Sequence, residues 1–280
     1  RQRQDLGEPL DRARHAGEEG TQCVSRETAA GAVIQLHELR FSKADLLRAP
    51  ENERVLYVLL GGVANEMITL SKQLLFWTQP NPGEDEAEVY ARTSAVLITA
   101  RLLAGRTYEA WNVLRAREHS EVFKGYRDQF SAGTEEALRR LNQYFGRANL
   151  IERLRNKSAF HSDIETVRTA LDGFPDDEPF VDYINNHVGN TFYSSAHLIS
   201  TYGVMHLSKE SDIATAMGKM ADEVISISGL VSEYVFGFMA EFTIRHLDAS
   251  SFTGKPVHTL KAPKLMEVTT PFFCEPPENS

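Results

Sequence analysis

The residues of this chain best suited to chemistry stand close together, at Arg155, Asn156 and His161. An imidazole exchanges protons near neutral pH, and a guanidinium stabilises developing negative charge with a rigid set of N–H donors. Together they meet the needs of RNA phosphodiester cleavage without a metal. His161 would exchange a proton with the ribose 2′-hydroxyl or the 5′-oxygen, and Arg155 would stabilise the phosphorane. Asn156 would orient the phosphate or the arginine.

The charge around these residues is opposite in sign to the charge of the whole chain. The 280 residues carry a formal net charge of −9, which argues against a general nucleic-acid coat protein. Between positions 139 and 157 only Glu152 is acidic, whereas the basic residues are Arg139, Arg140, Arg147, Arg153, Arg155 and Lys157. We therefore predict that Arg147, Arg153 and Lys157 help to hold the RNA backbone.

The spacing of Arg155 and His161 determines which backbone conformations could bring their side chains together. Six positions on an ideal α-helix place two side chains about 120° apart and about 9 Å apart along the axis. One continuous helix would therefore not bring the two side chains together. Residues 162–165 have the pattern of a capping box and predict a new helix that runs to Leu171. Either the helix breaks between positions 158 and 162, or a second subunit completes the site.

The sequence Arg155-Asn156-Lys157, followed by Phe160-His161, resembles the R-x(4–6)-H motif of HEPN domains, in which a polar residue typically follows the arginine. HEPN proteins are all-helical bundles of toxin–antitoxin, abortive-infection and other defence systems. Many are metal-independent ribonucleases whose site forms across a homodimer. The resemblance implies a homodimer, an RNA substrate and an antitoxin partner. It covers the motif and its helical context, about residues 50–247, and leaves the N-terminal helices and the long tail without a counterpart.

Two other interpretations of the same residues stay open. Arg155 and Lys157 can be solvated cations at a helix end, where the helix dipole favours positive charge, with His161 as a capping or half-buried residue. The chain can also be a catalytically inactive helical module that serves interaction or dimerisation. In both alternatives, Arg155, Asn156 and His161 take no part in a reaction.

Sequence patterns for metal and cofactor sites are missing. Neither Glu-x-x-His nor His-Glu-x-x-His occurs, so a di-iron carboxylate bundle and a zinc protease lack their usual motifs. The Gly61-Gly62 pair is not followed by the Gly-Lys-Ser/Thr of a phosphate loop. We interpret His187, His197 and His206 as core residues whose ring nitrogens are satisfied. The sequence predicts no metal and no cofactor.

Apolar spacing predicts an all-α protein, a multi-helix up-and-down bundle over residues 29–249. Its HEPN-like core covers about residues 50–247. Residues 1–28 form a loose N-terminal arm in this prediction, and residues 250–280 form a Pro-rich extended tail. The predicted helices start with the apolar spacing of Val33, Leu36 and Leu39 and continue over residues 55–77, 84–114, 134–155, 164–171, 180–207 and 212–247.

The last predicted helix is the most apolar, and its sequence indicates whether the protein lies in a membrane. Its segment 224–242 is interrupted by Glu233 and Glu241, whereas a membrane helix needs about 20 consecutive apolar residues, so we predict a core helix and no membrane. Cys23 and Cys274 are the only cysteines, which favours a reducing cytoplasm over a disulfide framework.

Glycines and tryptophans within the predicted helices indicate close packing. Gly229 and Gly237 lack side chains on the most apolar helix, which favours a tight helix pair or, alternatively, a dimer face. The Gly61-Gly62 pair is predicted to permit a close helix approach in the same way. Trp77 and Trp111 are predicted to anchor the core or an interface.

Overall fold

The computed structural model describes residues 32–156, 164–247, 258–264 and 267–275. Within these ranges the chain forms nine α-helices and one two-stranded sheet, so the predicted all-α, multi-helix class is confirmed. The strands are β1 (Ala32–Leu36) and β2 (His258–Ala262). The helices are α1 (Lys43–Leu46), α2 (Glu51–Trp77), α3 (Glu86–Arg115), α4 (Arg117–Lys124), α5 (Ala132–Phe145), α6 (Leu150–Leu154), α7 (Ile164–Asp172), α8 (Ser194–Ser208) and α9 (Ile213–His246). The predicted arm, residues 1–28, lies outside the described residues.

The segment before α1 is a strand, and the prediction of a helix there is wrong. Strand β1 pairs with β2 in antiparallel register, with Ile34 opposite Leu260 and Leu36 opposite His258. The β-branched residues of β1 fit a pleated surface once a partner strand is available. Part of the predicted extended tail is thus a strand, and it supplies that partner.

The predicted helix over residues 180–207 is also wrong in its first half, because α8 begins only at Ser194. The preceding loop folds through its own polar side chains. The amide of His187 donates to Asn185 Oδ1 at 2.8 Å, and the amide of Asn185 donates to Thr191 Oγ1 at 3.1 Å. Such local bonds compete with the helical hydrogen-bond pattern, which explains why apolar spacing alone overestimated the helix.

One main core lies between α2, α3, α5, α6 and α9, and it continues into α4 and the turn after it. Its largest fully buried side chains include Tyr126, Phe238, Phe242, Leu56 and Leu103. Helix α9 contacts α2, α3, α5 and α8, so it is the element around which the other helices pack.

Helix α9 is confirmed as one uninterrupted helix. Asp212 caps it by accepting a hydrogen bond from the amide of Thr215 at 2.7 Å. By length and composition alone, α9 is the one helix among the described residues that could cross a membrane. Its residues Val224, Val231 and Phe238 are fully buried against other helices, as expected of a core helix.

The predicted close approach at glycine is confirmed at one position of α9 and not at the other. A methyl group at Gly237 would lie 2.5 Å from the Thr134 side chain, so only glycine fits at this contact between α9 and α5. No atom lies within 4 Å of a methyl group built at Gly229. Trp111 is buried and stacks on Phe145 at 5.0 Å between ring centroids, which confirms it as a core anchor.

Candidate functional site

The predicted site follows α6, a short helix that begins at an asparagine cap. Asn149 is buried, and its Oδ1 accepts a hydrogen bond from the amide of Glu152 at 2.8 Å. Its Nδ2 donates to the carbonyl of Arg147 at 3.0 Å. The predicted single helix over residues 134–155 is therefore wrong, because α5 ends at Phe145 and the asparagine starts α6 as a separate helix.

A hydrogen-bond network fixes the first turn of α6 to α9. The hydroxyl of Tyr144 donates to the Glu223 carboxylate, and the amide of Leu150 donates to Glu223 Oε1 at 3.3 Å. The amide of Ile151 donates to the Tyr144 oxygen at 3.3 Å. Burial and the hydrogen bond to Glu223 raise the pKa of Tyr144, so its hydroxyl stays protonated and remains a donor. The backbone that leads to Arg155 is thus anchored in the core.

The guanidinium of Arg155 contacts α3. Its Nε and Nη2 donate to Glu109 Oε1 at 3.1 Å and 2.9 Å, and its Nη1 donates to Asn156 Oδ1 at 3.1 Å. Its Cζ lies 5.5 Å from the centroid of the Tyr108 ring. The Arg155 and Glu109 side chains are 35% and 38% exposed, and an ion pair this exposed stabilises a fold by only about 0–1 kcal/mol. The main effect of the pair is to orient the guanidinium.

The described contacts of Arg155 use only part of its hydrogen-bonding capacity. A guanidinium has five N–H donors, and the three bonds to Glu109 and Asn156 use three of them. The other two N–H groups, one on each terminal nitrogen, have no partner among the described residues. A partly exposed arginine in this state can bind an anionic oxygen without first leaving its position.

The two arginines predicted to bind the RNA backbone lie in different settings. Arg153 Nε donates to the carbonyl of Leu207 at 3.0 Å, which ties α6 to the end of α8. Arg147 is exposed in the loop before α6, whereas Arg155 follows the opposite end of that helix. Arg147 and Arg155 thus flank α6 at its two ends, and no described contact links them to a common partner.

Lys157 and His161 belong to residues 157–163, which lie outside the described residues. Both flanks of that segment are described. Asn156 follows α6, and residues Ile164–Asp172 form α7, so the predicted helix that runs to Leu171 is confirmed over these residues, whereas its predicted capping box at Ser162 lies outside the described residues. Helix α7 packs on α8 in a second, smaller core that consists of Ala170, Phe174 and Ile199.

In the folded chain, carboxylates from outside residues 139–157 neutralise part of the positive charge of that stretch. Arg139 pairs with Glu136 at 2.5 Å, one turn earlier on α5. Arg155 pairs with Glu109, which lies 46 positions earlier. Both carboxylates come from outside the basic stretch, and no local sequence signal marks Glu109 or Tyr108 as neighbours of Arg155.

The prediction of three core histidines is wrong for two of them and confirmed for the burial of His197. His187 and His206 are exposed. His197 is buried, but its Nδ1 has no hydrogen-bond partner. Burial and the nearby positive charge of Arg101 lower the pKa of His197 to about 4, so this imidazole is neutral at pH 7.

Across residues 32–156, 164–247, 258–264 and 267–275, no group of three or more His, Cys, Asp or Glu side chains is arranged to hold a metal ion. Comparison with protein-family models, with curated proteins and with solved structures finds no match to this chain. The assignment of a function therefore depends on the residues and contacts of the site itself.

Proposed function

We propose that this chain is a metal-independent endoribonuclease of a defence or toxin–antitoxin system, acting in the cytoplasm as a HEPN-type homodimer. The supporting observation is the Arg155 guanidinium, which Glu109 and Asn156 orient at the end of α6, with two N–H donors that no described residue engages. His161 follows six positions later in the chain. An antitoxin protein is the proposed regulatory partner.

In the proposed reaction the ribose 2′-oxygen attacks the adjacent phosphorus. His161 takes the 2′-hydroxyl proton as the bond between the 2′-oxygen and phosphorus forms. The bond between phosphorus and the 5′-oxygen breaks, and a protonated imidazole gives that oxygen its proton. The products are a 2′,3′-cyclic phosphate and a 5′-hydroxyl, and in a homodimer two copies of His161 are available for the two transfers. The N–H donors of Arg155 that no described residue engages stabilise the charge of the phosphorane.

A second candidate function is an inactive helical interaction module. The observation in its favour is the ion pair with Glu109, because that carboxylate competes with a phosphate for the same guanidinium. In this alternative the pair is a contact between α3 and the end of α6, and Arg155 takes part in no reaction. The two candidates predict opposite results for RNA cleavage by the purified chain.

RNA cleavage in the presence of a metal chelator tests the proposal. We expect the purified chain to cleave single-stranded RNA with chelator present and His161→Ala to lose this activity. The matched control is His206→Ala, which removes an exposed histidine from α8 and should keep the parental rate. Equal cleavage by the parent and His161→Ala, or no cleavage by the parent, would contradict the proposal.

Replacing Glu109 tests whether it is a positioning residue for Arg155. We expect Glu109→Ala to lower kcat on the order of tenfold with little change in KM, because a misplaced catalytic group slows the reaction more than it weakens binding. Glu109→Gln keeps an oxygen acceptor for the guanidinium and should recover most of the rate. Glu136→Ala, which removes the exposed partner of Arg139, is the control. A rate increase in Glu109→Ala would instead assign Glu109 the role of a competitor for the phosphate.

A further inference from the structure

The two-stranded sheet of β1 and β2 has one mainly apolar face. Successive side chains of a strand point to opposite faces, and residues paired across two strands share a face. Ile34 and its partner Leu260 therefore lie on one face with Leu36 and its partner His258, whereas Gln35 lies on the other. Ile34, Leu36 and Leu260 are 43%, 42% and 49% exposed, so the described helices do not cover the apolar face.

A sheet of this size gains stability from a further strand. Two isolated strands are marginally stable in water, and a sheet of three or more strands with an apolar face is needed for independent stability. Among the described residues the sheet consists of β1 and β2 alone, with five residues in each strand. The outer edge of each strand carries N–H and C=O groups that can pair with another strand. A third strand would satisfy these groups and widen the apolar face.

The two outer edges differ in how well they are protected against pairing. Proteins commonly protect an exposed edge strand with lysine and proline, because a charge resists desolvation and proline lacks an N–H donor. Strand β2 contains Lys261 and is followed by Pro263 and Lys264. Strand β1, Ala32–Leu36, contains neither a charged residue nor a proline. The outer edge of β1 is therefore the one suited to accept another strand.

The sequence of β1 suits antiparallel pairing with a second copy of itself. When the pair is centred on Ile34, this residue lies opposite its own copy, and Val33 lies opposite Gln35 of the second copy. No two charges face each other in this register, whereas like charges opposite each other destabilise a strand pair. An uncharged contact matters for this chain, because two copies that each carry a net charge of −9 repel each other.

We infer that β1 is the surface through which two copies of this chain associate, and that it pairs antiparallel with β1 of the second copy about Ile34. The product is a four-stranded sheet in the order β2-β1-β1-β2, with two-fold symmetry. Residues directly opposite each other point to the same side of a sheet, so the apolar faces of the two copies join into one. The contact is small, so the dimer is weak and reversible. The inference gives the proposed homodimer an interface without requiring RNA cleavage, so either can fail without the other.

Sedimentation equilibrium of the full chain tests this interface. We expect the parent to pass from monomer to dimer as its concentration rises from about 1 to about 100 μM. Ile34→Lys should weaken the dimer by about tenfold or more, because it sets two like charges opposite each other and removes an apolar contact. The matched control is Thr259→Lys, which adds the same charge to β2 on the polar face, opposite Gln35, and should associate like the parent.

A mixture of two variants tests the register and guards against a loss of association through misfolding. Ile34→Glu alone should associate as weakly as Ile34→Lys, since it also sets like charges opposite each other. In an equal mixture of the two variants, the lysine of one copy lies opposite the glutamate of the other, and opposite charges stabilise a strand pair. We therefore expect heterodimers in the mixture at concentrations where each variant alone is monomeric.

Three results would overturn the inference. A parent that stays monomeric over the whole range would assign the edge of β1 to a different partner. A dimer of Ile34→Lys as strong as that of the parent would place the interface on another surface and leave the proposed homodimer standing. A mixture that stays monomeric would contradict pairing about Ile34. RNA cleavage is measured separately, so none of these results decides the proposed reaction.

Discussion

Arg155→Ala is expected to lower the rate of RNA cleavage by at least about a hundredfold. The variant removes the N–H donors that would stabilise the phosphorane, and loss of one such donor typically costs a factor of about 100 to 1,000. Arg155→Lys keeps the positive charge but loses the planar set of donors, so it should recover only part of the rate. The measurement is the single-turnover rate on a labelled oligoribonucleotide with chelator present.

Two comparisons decide whether such a loss is specific to Arg155. Arg140→Ala removes an exposed arginine of α5 from the same basic stretch and should stay within about twofold of the parent rate. The free energy of unfolding of Arg155→Ala should fall by no more than about 1 kcal/mol, because the ion pair with Glu109 is partly exposed. A variant that is folded and cleaves RNA at the parental rate would remove Arg155 from the mechanism.

The largest expected effect on stability is that of Phe238→Ala. Phe238 is fully buried on α9, and its ring lies 5.3 Å from the Phe123 ring and 5.0 Å from the Tyr126 ring between centroids. Removing a buried phenyl ring leaves a cavity and typically costs about 3–5 kcal/mol. We expect a loss of this size in the free energy of unfolding, measured by urea denaturation.

The same helix offers a matched control for that measurement. Phe236 lies two positions before Phe238 and is 47% exposed. Phe236→Ala should change the free energy of unfolding by no more than about 0.5 kcal/mol, as is usual for surface positions. Equal losses in the two variants, or a loss below about 1 kcal/mol in Phe238→Ala, would contradict the position of α9 at the centre of the core.

The long helices could be predicted from the sequence because their signals are local. The cap at Asp212 and the apolar face that follows it define α9, and the acidic start at Asp85 defines α3. Each signal lies within a few positions of the residues it organises, so no tertiary contact is needed to interpret it.

Features that depend on distant partners could not be predicted in this way. Strand β1 exists because residues 258–262, near the other end of the chain, pair with it. The bonds from Arg155 to Glu109 join α3 to the end of α6, and the pairing of two distant helices is set by packing. The spacing of apolar and polar residues along the chain does not predict such contacts.

Residue types and spacing alone predict the motif of Arg155, Asn156 and His161, and the structure describes only its first two residues. Arg155 and Asn156 occupy an ordered helix end with defined partners. The role of His161 stays a prediction from the sequence, because residues 157–163 lie outside the described residues. The joint action of Arg155 and His161 is therefore the claim that experiment must address.

Analysis of the RNA ends tests that claim most directly. The purified chain is incubated with a defined oligoribonucleotide and chelator, and the product ends are identified by mass spectrometry. Attack by the 2′-oxygen predicts 2′,3′-cyclic phosphate and 5′-hydroxyl ends from the parent, at least about a hundredfold less of both from Arg155→Ala in the same time, and neither from His161→Ala. Ends bearing a 5′-phosphate and a 3′-hydroxyl, or equal amounts of the cyclic product from all three proteins, would contradict the account.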